Sequence, residues 1–318
     1  MENWHEYTRT RTLLMLNIKK SIFALAFLTV IPSFAYAEKC ENNFSPSTLK
    51  ALKEDKFEIQ DAEERNNTAI ELLSCVGHPD PDVRDGIVYE AFSHWLRNEL
   101  LEPTTVKTLY ESLIQLLNTE NKDKDNFTQP FASLVLAEVV RVDRVTPYLS
   151  AEERQKVVDV STQYMRNITD YRGFIDKEGW RHAVAHTSDI FLQLALNKNV
   201  SKKQLNQMLE AIVSQTSPSS STPHLYVHGE SKRLATAFAY IVLRGEESKQ
   251  EISNILDKIA APSPFADWGS VYKSEKGLAK LHNTRAFIYS LLAITGQSKN
   301  PNLVAIQPTL IRIIRALG

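Results

Sequence analysis

The sequence predicts an all-α fold, and three features of its pattern support this prediction. Amphipathic segments, with apolar residues three or four positions apart, alternate with short breaks along most of the 318 residues, which is typical of helices that bury one face. No stretch keeps the period-two alternation of a half-buried strand. Two of the segments begin with capping-box pairs, Ser150 with Glu153 and Ser201 with Gln204.

Residues 1–37 are predicted to be a secretory signal peptide and not part of the fold. The basic pair Lys19–Lys20 precedes an apolar run over residues 22–31, and an Ala-Tyr-Ala cleavage site ends at Ala37. We expect translation to start at Met15, cleavage to follow Ala37, and the chain to be periplasmic or secreted. An uncleaved N-terminal anchor is the alternative interpretation.

The composition of the exported chain argues against two classes of partner, nucleic acids and membranes. The sequence has 37 basic and 38 acidic residues and no basic run, which argues against nucleic acid as the main partner. No further apolar stretch approaches membrane-spanning length, so no membrane association is expected after cleavage. Cys40 and Cys75 are both in the mature chain, and export favours a disulfide between them. Two unpaired thiols are the alternative.

The predicted elements follow a polar N-terminal arm, residues 38–56, which holds a short helix at 47–53. Residues 57–318 are predicted to form a single helical-repeat domain. Its helices are expected at 62–76, from Pro81 onward, and at 104–117, 127–140, 151–168, 178–196, 201–215, 230–243, 247–260, 276–294 and 300–317.

These helices predict a HEAT/armadillo-like α-solenoid of about five helix pairs, because each pair spans roughly 40 to 50 residues. A turn at residues 77–80, Pro81 at a helix start, and Asp82 with Arg84 in the first turn are typical of a HEAT repeat. Such Asp and Arg side chains tie neighbouring turns together. An irregular helical bundle is the alternative.

Five stretches of the sequence resemble a bacterial family catalogued only as a domain of unknown function. Its most specific features are the GW-x-HA-x-AH core and the later HGE. The resemblance implies an all-helical fold over about residues 47–295 and supplies no activity. The matching stretches are RDGIVYEAF (84–92), FASLVLAEVV (131–140), YRGFIDKEGWRHAVAHTSD (171–189), HGESKRLATA (228–237) and HNTRAFIYSLL (282–292).

The predicted helix over residues 178–196 carries the most unusual chemistry. Helical spacing places His182, His186 and Asp189 in one polar stripe between apolar shoulders. Trp180 lies on the opposite face, where core packing is the expected role. A stripe of imidazole and carboxylate without Lys or Glu predicts that the helix faces a cleft or a partner helix.

We expect the resembling stretches to lie on the second helices of successive pairs and to line one concave groove. The groove would bind a peptide, a protein partner or a small ligand, with Tyr226 and Trp268 as further aromatic contacts. The candidate groove residues are Trp180, His182, His186, Asp189, His228, Glu230, Arg233, His282 and Arg285.

Two other interpretations of the same cluster remain open. In the first, the chain is a metal-dependent hydrolase or oxidase that holds a divalent transition metal through His182, His186, Asp189, His228 and Glu230. In the second, the cluster is a structural hydrogen-bond network in which Asp189, Glu230 and Asn283 orient the histidines. The sequence does not decide whether the protein is an enzyme.

Overall fold

The computed structural model describes residues 35–119, 123–218 and 223–318, and nearly all regular structure in these ranges is helical. The predicted all-α class is therefore confirmed. In chain order the helices are α1 (Ala35–Asn43), α2 (Pro46–Glu54), α3 (Ala62–Leu72), α4 (Pro81–Val83), α5 (Glu90–Arg97), α6 (Pro103–Asn118), α7 (Thr128–Val145), α8 (Ala151–Asn167), α9 (Ala183–Leu196), α10 (Lys202–Thr216), α11 (Glu230–Arg244), α12 (Lys249–Ile259), α13 (Glu275–Gly296) and α14 (Pro301–Leu317).

The N-terminal arm packs against the helical domain and is linked to it covalently. A disulfide joins Cys40 in α1 to Cys75, which ends a short 3-10 segment after α3, so the predicted bridge is confirmed. Phe44 and Leu49 on the arm are also buried. Residues 1–34 of the predicted signal peptide lie outside the described residues, and cleavage after Ala37 stays a prediction.

Helices α4 and α5 belong to one helical stretch that widens in the middle. The side chain of Asp80 caps its start by accepting a hydrogen bond from the backbone N–H of Asp82, and Pro81 occupies the first position, where its missing N–H costs nothing. Residues Arg84–Tyr89 between the two helices form a π-helix. Such wider turns are frequent at functional sites.

The longer helices contact one another in two series. In one series α5 contacts α7, α7 contacts α9, α9 contacts α11, and α11 contacts α13. In the other, α6, α8, α10, α12 and α14 follow one another in the same way. The two series also touch, for example α8 with α9 and α10 with α11, and side chains such as Leu109, Phe191 and Phe238 are fully buried.

The predicted helix over residues 178–196 is wrong at its start. Gly179 and Trp180 form a short strand, β2, which pairs antiparallel with β1 (Phe174–Ile175), and α9 begins only at Ala183. The backbone of His182 has a φ of 57°, in the left-handed region that a right-handed helix cannot include. Core packing was the expected role of Trp180, but its side chain is 36% exposed and does not lie in the core.

No helix in the described ranges is both long enough and apolar enough to cross a membrane.

Candidate functional site

A cleft of about 770 Å³ lies between the first helix series and the β1–β2 hairpin. Its wall takes side chains from the Arg84–Tyr89 segment and from α5, α7, α9 and α11, with Trp180 contributed by β2, and His182 and His228 by the residues before α9 and α11. The lining residues are Asp85, Tyr89, Glu90, Arg97, Leu134, Ala137, Glu138, Trp180, His182, His186, Asp189, Leu192, Gln193, His228, Gly229, Lys232 and Arg233.

Three rings stand in contact along one side of the cleft. The Trp180 ring stacks on His182 with 4.7 Å between the centroids, and the ring of His186 meets His182 edge-on at 5.6 Å. The Nδ1 atom of His186 donates a hydrogen bond of 3.1 Å to the carbonyl oxygen of Pro130. This bond fixes the tautomer of His186 and leaves its Nε2 atom as an acceptor.

Glu230 lies between two imidazoles at the N-terminus of α11. Its Oε2 atom accepts a hydrogen bond of 2.9 Å from the backbone N–H of His228. Its Oε1 atom is 3.9 Å from His182 Nε2 and 3.9 Å from His228 Nδ1. These three side-chain atoms are buried and have no hydrogen-bond partner in the structure, which is unusual for buried polar groups.

Burial shifts the protonation of this cluster toward neutral forms. Desolvation lowers the pKa of His182 to about 4 and that of His186 to about 3, so both rings are neutral at pH 7. Desolvation raises the pKa of the Glu230 carboxyl group, because a carboxylate loses its hydration there. Glu230 is only 2% exposed.

The opposite parts of the cleft carry charges that are already paired. Arg233 on α11 forms an ion pair with Asp189 on α9, and burial raises the pKa of the Asp189 carboxyl group against the effect of Arg233. Arg97 on α5 donates from Nε to Glu138 on α7 at 2.9 Å, and the hydroxyl of Tyr89 reaches the same carboxylate at 3.4 Å. These pairs connect neighbouring helices across the cleft.

A buried arginine holds the hairpin against the Arg84–Tyr89 segment. Arg84 Nη2 donates to the carbonyl oxygen of Glu178 at 2.8 Å and to Asp85 at 2.9 Å, although Glu178 is 94 positions away. The guanidinium also lies over the rings of Phe127 and Phe131. The Arg expected to tie neighbouring turns thus also sets the position of the hairpin that carries Trp180.

Six of the predicted groove residues come together in this cleft and line it, namely Trp180, His182, His186, Asp189, His228 and Arg233, with Glu230 directly behind them. The other two, His282 and Arg285, do not line this cleft. His282 is exposed on α13, and Arg285 on the same helix donates to the carbonyl oxygens of Leu317 and Gly318 at the chain end.

The other predicted partners of the cluster also lie elsewhere. Tyr226 is buried and donates from its hydroxyl to the carbonyl oxygen of Gln215, and Trp268 donates to the carbonyl oxygen of Ala260. The side chain of Asn283 binds the backbone of His224 and Tyr226 instead of a histidine ring. Their hydrogen-bonding groups are thus already used.

The potential metal ligands of the cleft do not form a joint binding set. No group of three His, Cys, Asp or Glu side chains in the described part of the chain is arranged to hold a metal ion. The five proposed ligands include Asp189, whose carboxylate is already engaged by Arg233.

Several cleft residues were not singled out from the sequence, namely Asp85, Tyr89, Glu90, Arg97, Glu138 and Lys232. Most of them lie in stretches of the sequence that resemble the family. Asp85, Tyr89 and Glu90 lie in the stretch RDGIVYEAF, and Glu138 lies in FASLVLAEVV. Polar residues inside two otherwise apolar segments that resemble one family are candidates for a shared surface.

Comparisons with known proteins place the chain in a family without assigning it an activity. No curated protein and no solved structure matches it. A family model described as "Protein of unknown function (DUF2785)" matches residues 113–293, more than half of the chain, and leaves out the stretch at 84–92. The chain therefore belongs to this family of proteins of unknown function.

Proposed function

We propose that this chain is a binding protein whose cleft holds a small polar ligand against the ring of Trp180. The cleft volume of about 770 Å³ falls in the range of small-molecule sites, about 300 to 1,000 Å³. The chemistry of the wall, aromatic on one side and polar on the other, supports a ligand with one flat apolar face and several hydrogen-bonding groups.

The exposure of Trp180 is the observation that carries this proposal. A large indole ring is normally buried in a fold of this size, yet Trp180 is 36% exposed and lines the cleft. Its ring is held in place by Phe174, by His182 beneath it and by the edge of His228. A tryptophan positioned in this way offers a rigid surface to a ring of the ligand.

The paired charges support a ligand that is not strongly charged overall. Asp189 is neutralised by Arg233 and Glu138 by Arg97. Such pairs still offer hydrogen-bond donors and acceptors in fixed positions, because each side chain is restrained by its partner. They therefore favour orientation of a polar ligand.

We further propose that the helices form a HEAT-like solenoid and that the chain is exported. The solenoid is supported by the two series of successive helix contacts, α5 to α13 and α6 to α14. Such stacks create concave surfaces that bind partners. Export is supported by the disulfide between Cys40 and Cys75, because disulfides persist in oxidising compartments.

Calorimetric titration of the full chain tests the binding function. The probes are a defined panel of free amino acids, monosaccharides and nucleosides. We expect saturable binding of at least one probe, weakened at least about fivefold by Trp180→Ala, since loss of a stacking surface for a flat ring costs about 1 to 3 kcal/mol.

Trp268→Ala is the matched control, because Trp268 is half-buried and lies outside the cleft. It is expected to leave the affinity unchanged. The proposal fails if no probe binds, or if the two tryptophan substitutions weaken binding equally.

A further inference from the structure

We infer that the ligand of this cleft carries a primary ammonium group, which binds between Glu230, His182 and His228 beneath the ring of Trp180. This inference rests on the proposed binding function and names the chemistry of one end of the ligand. It assigns a role to the only cluster in the described residues where a buried glutamate oxygen faces two imidazole nitrogens without a hydrogen bond.

The three side-chain atoms match the donors of an ammonium group in kind and number. Glu230 Oε1, His182 Nε2 and His228 Nδ1 are buried and unpartnered, and each is an acceptor when the imidazoles are neutral with the proton on the other ring nitrogen. A primary ammonium has three N–H donors and no acceptor. One such group would complete the hydrogen bonding of all three.

A cation at this position would also stabilise the ionised form of Glu230, which burial disfavours. Glu230 is 2% exposed, and a buried carboxylate is costly unless it is paired. Its ion-pair neighbours in the described structure are the two imidazoles at 3.9 Å, not a Lys or Arg side chain. Burial keeps the pKa of His182 at about 4, so this ring does not supply the positive charge at pH 7.

Aromatic rings adjoin the same cluster. The rings of Trp180 and His182 are 4.7 Å apart, and those of Trp180 and His228 are 5.9 Å apart. A cation within about 6 Å of an indole face is attracted by the ring quadrupole. The cluster thus combines an anion with the kind of wall that favours an organic cation.

Trp180 covers this cluster from the β1–β2 hairpin, and the residue that precedes the hairpin packs against His228. The hairpin that carries it has strands of two residues each. Gly173 at the base of this hairpin leaves room for His228, since a Cβ atom there would lie 2.3 Å from the His228 ring. The hairpin thus lies directly against His228, one of the three acceptors of the cluster.

Binding of n-butylammonium to the full chain, followed by calorimetry and by tryptophan fluorescence, tests the inference. Butan-1-ol is the uncharged control probe. We expect saturable binding of n-butylammonium, no comparable binding of butan-1-ol, and a loss of affinity of at least about tenfold in Glu230→Gln, because a charge-assisted hydrogen bond is replaced by a neutral one.

Glu247→Gln is the matched control variant. Glu247 is also a buried glutamate with unpartnered carboxylate oxygens, but it lies outside the cleft, so its substitution should not change the affinity. Circular dichroism checks that each variant is folded. His228→Gln provides a second test at a partly exposed side chain, with an expected loss in the same direction.

Several results would overturn the inference. Equal binding of butan-1-ol, or unchanged affinity in both Glu230→Gln and His228→Gln, would refute it. Binding of zinc chloride that depends on Glu230, without binding of n-butylammonium, would assign the cluster to a metal ion instead. If a probe from the broader panel binds in a way that depends on Trp180 but not on Glu230, the binding function stands and the ammonium site does not.

Discussion

Replacement of the buried Arg84 by alanine is expected to destabilise the fold by about 3 to 5 kcal/mol, because it removes four hydrogen bonds that contribute about 1 kcal/mol each. Arg84 is 0% exposed. Its guanidinium donates to the carbonyl oxygens of His78, Pro79 and Glu178 and to the Asp85 carboxylate. Without it, these acceptors lose the donor that they share.

Arg84→Lys separates the contribution of charge from that of geometry. A lysine keeps the positive charge but has one ammonium in place of a planar fork, and it cannot lie flat between Phe127 and Phe131. We therefore expect it to recover part of the stability, with a loss of about 2 kcal/mol relative to the native chain. Urea unfolding followed by circular dichroism gives both values.

Arg312→Ala is the control for removal of an arginine from an ion pair. Its side chain and that of its partner Asp257 are about half exposed, so the expected loss is below about 1 kcal/mol. The role given to Arg84 is wrong if the unfolding free energy of Arg84→Ala lies within about 1 kcal/mol of that of the native chain. It is also wrong if Arg84→Ala lowers the unfolding free energy no more than Arg312→Ala does.

Three further predictions concern the disulfide, the pH dependence and export. Replacing Cys40 and Cys75 together by alanine should lower the unfolding free energy by about 3 to 4 kcal/mol, from closure of a loop of 35 residues. A reductant should lower the melting temperature of the native chain but not that of the variant. The pKa of His186 is about 3 in the fold and about 6.5 in the unfolded chain. The unfolded chain therefore binds more protons below about pH 6.5, and the contribution of His186 to the unfolding free energy is full above this pH and decreases with acidification. It should fall by about 2 kcal/mol between pH 7 and pH 5, and urea unfolding of His186→Gln at both values should show a smaller loss. N-terminal sequencing of exported protein should begin at Glu38, and full-length chain in the cytosol would contradict cleavage after Ala37.

The sequence predicted the helices well because their signals are local. The capping boxes at Ser150 and Ser201 are present, and the helices after them begin within a residue or two of the expected positions. The helix over residues 178–196 failed at its start for a reason that is not local. His182 adopts a left-handed conformation, and the backbone N–H groups of Arg181 and His182 donate to the loop at Arg172 and Gly173.

The candidate site was predicted in part for the same reason. Helical spacing correctly placed His186 and Asp189 on one face of α9, and the resembling stretches indicated which helices would meet. The expected position on a second helix did not decide which side chains enter the cleft. His282 lies on the expected helix but points to solvent, and Arg285 is engaged by the C-terminal end of the chain, a contact that spacing cannot reveal.

The left-handed backbone of His182 has a consequence for engineering of this protein. A non-glycine residue in that conformation costs about 1 kcal/mol relative to glycine, so a search for thermostable variants would favour glycine at this position. The same change would remove the ring on which Trp180 stacks. Selection for heat resistance therefore favours glycine at this position, whereas selection for an intact cleft favours histidine. A stabilised variant should keep His182 unchanged.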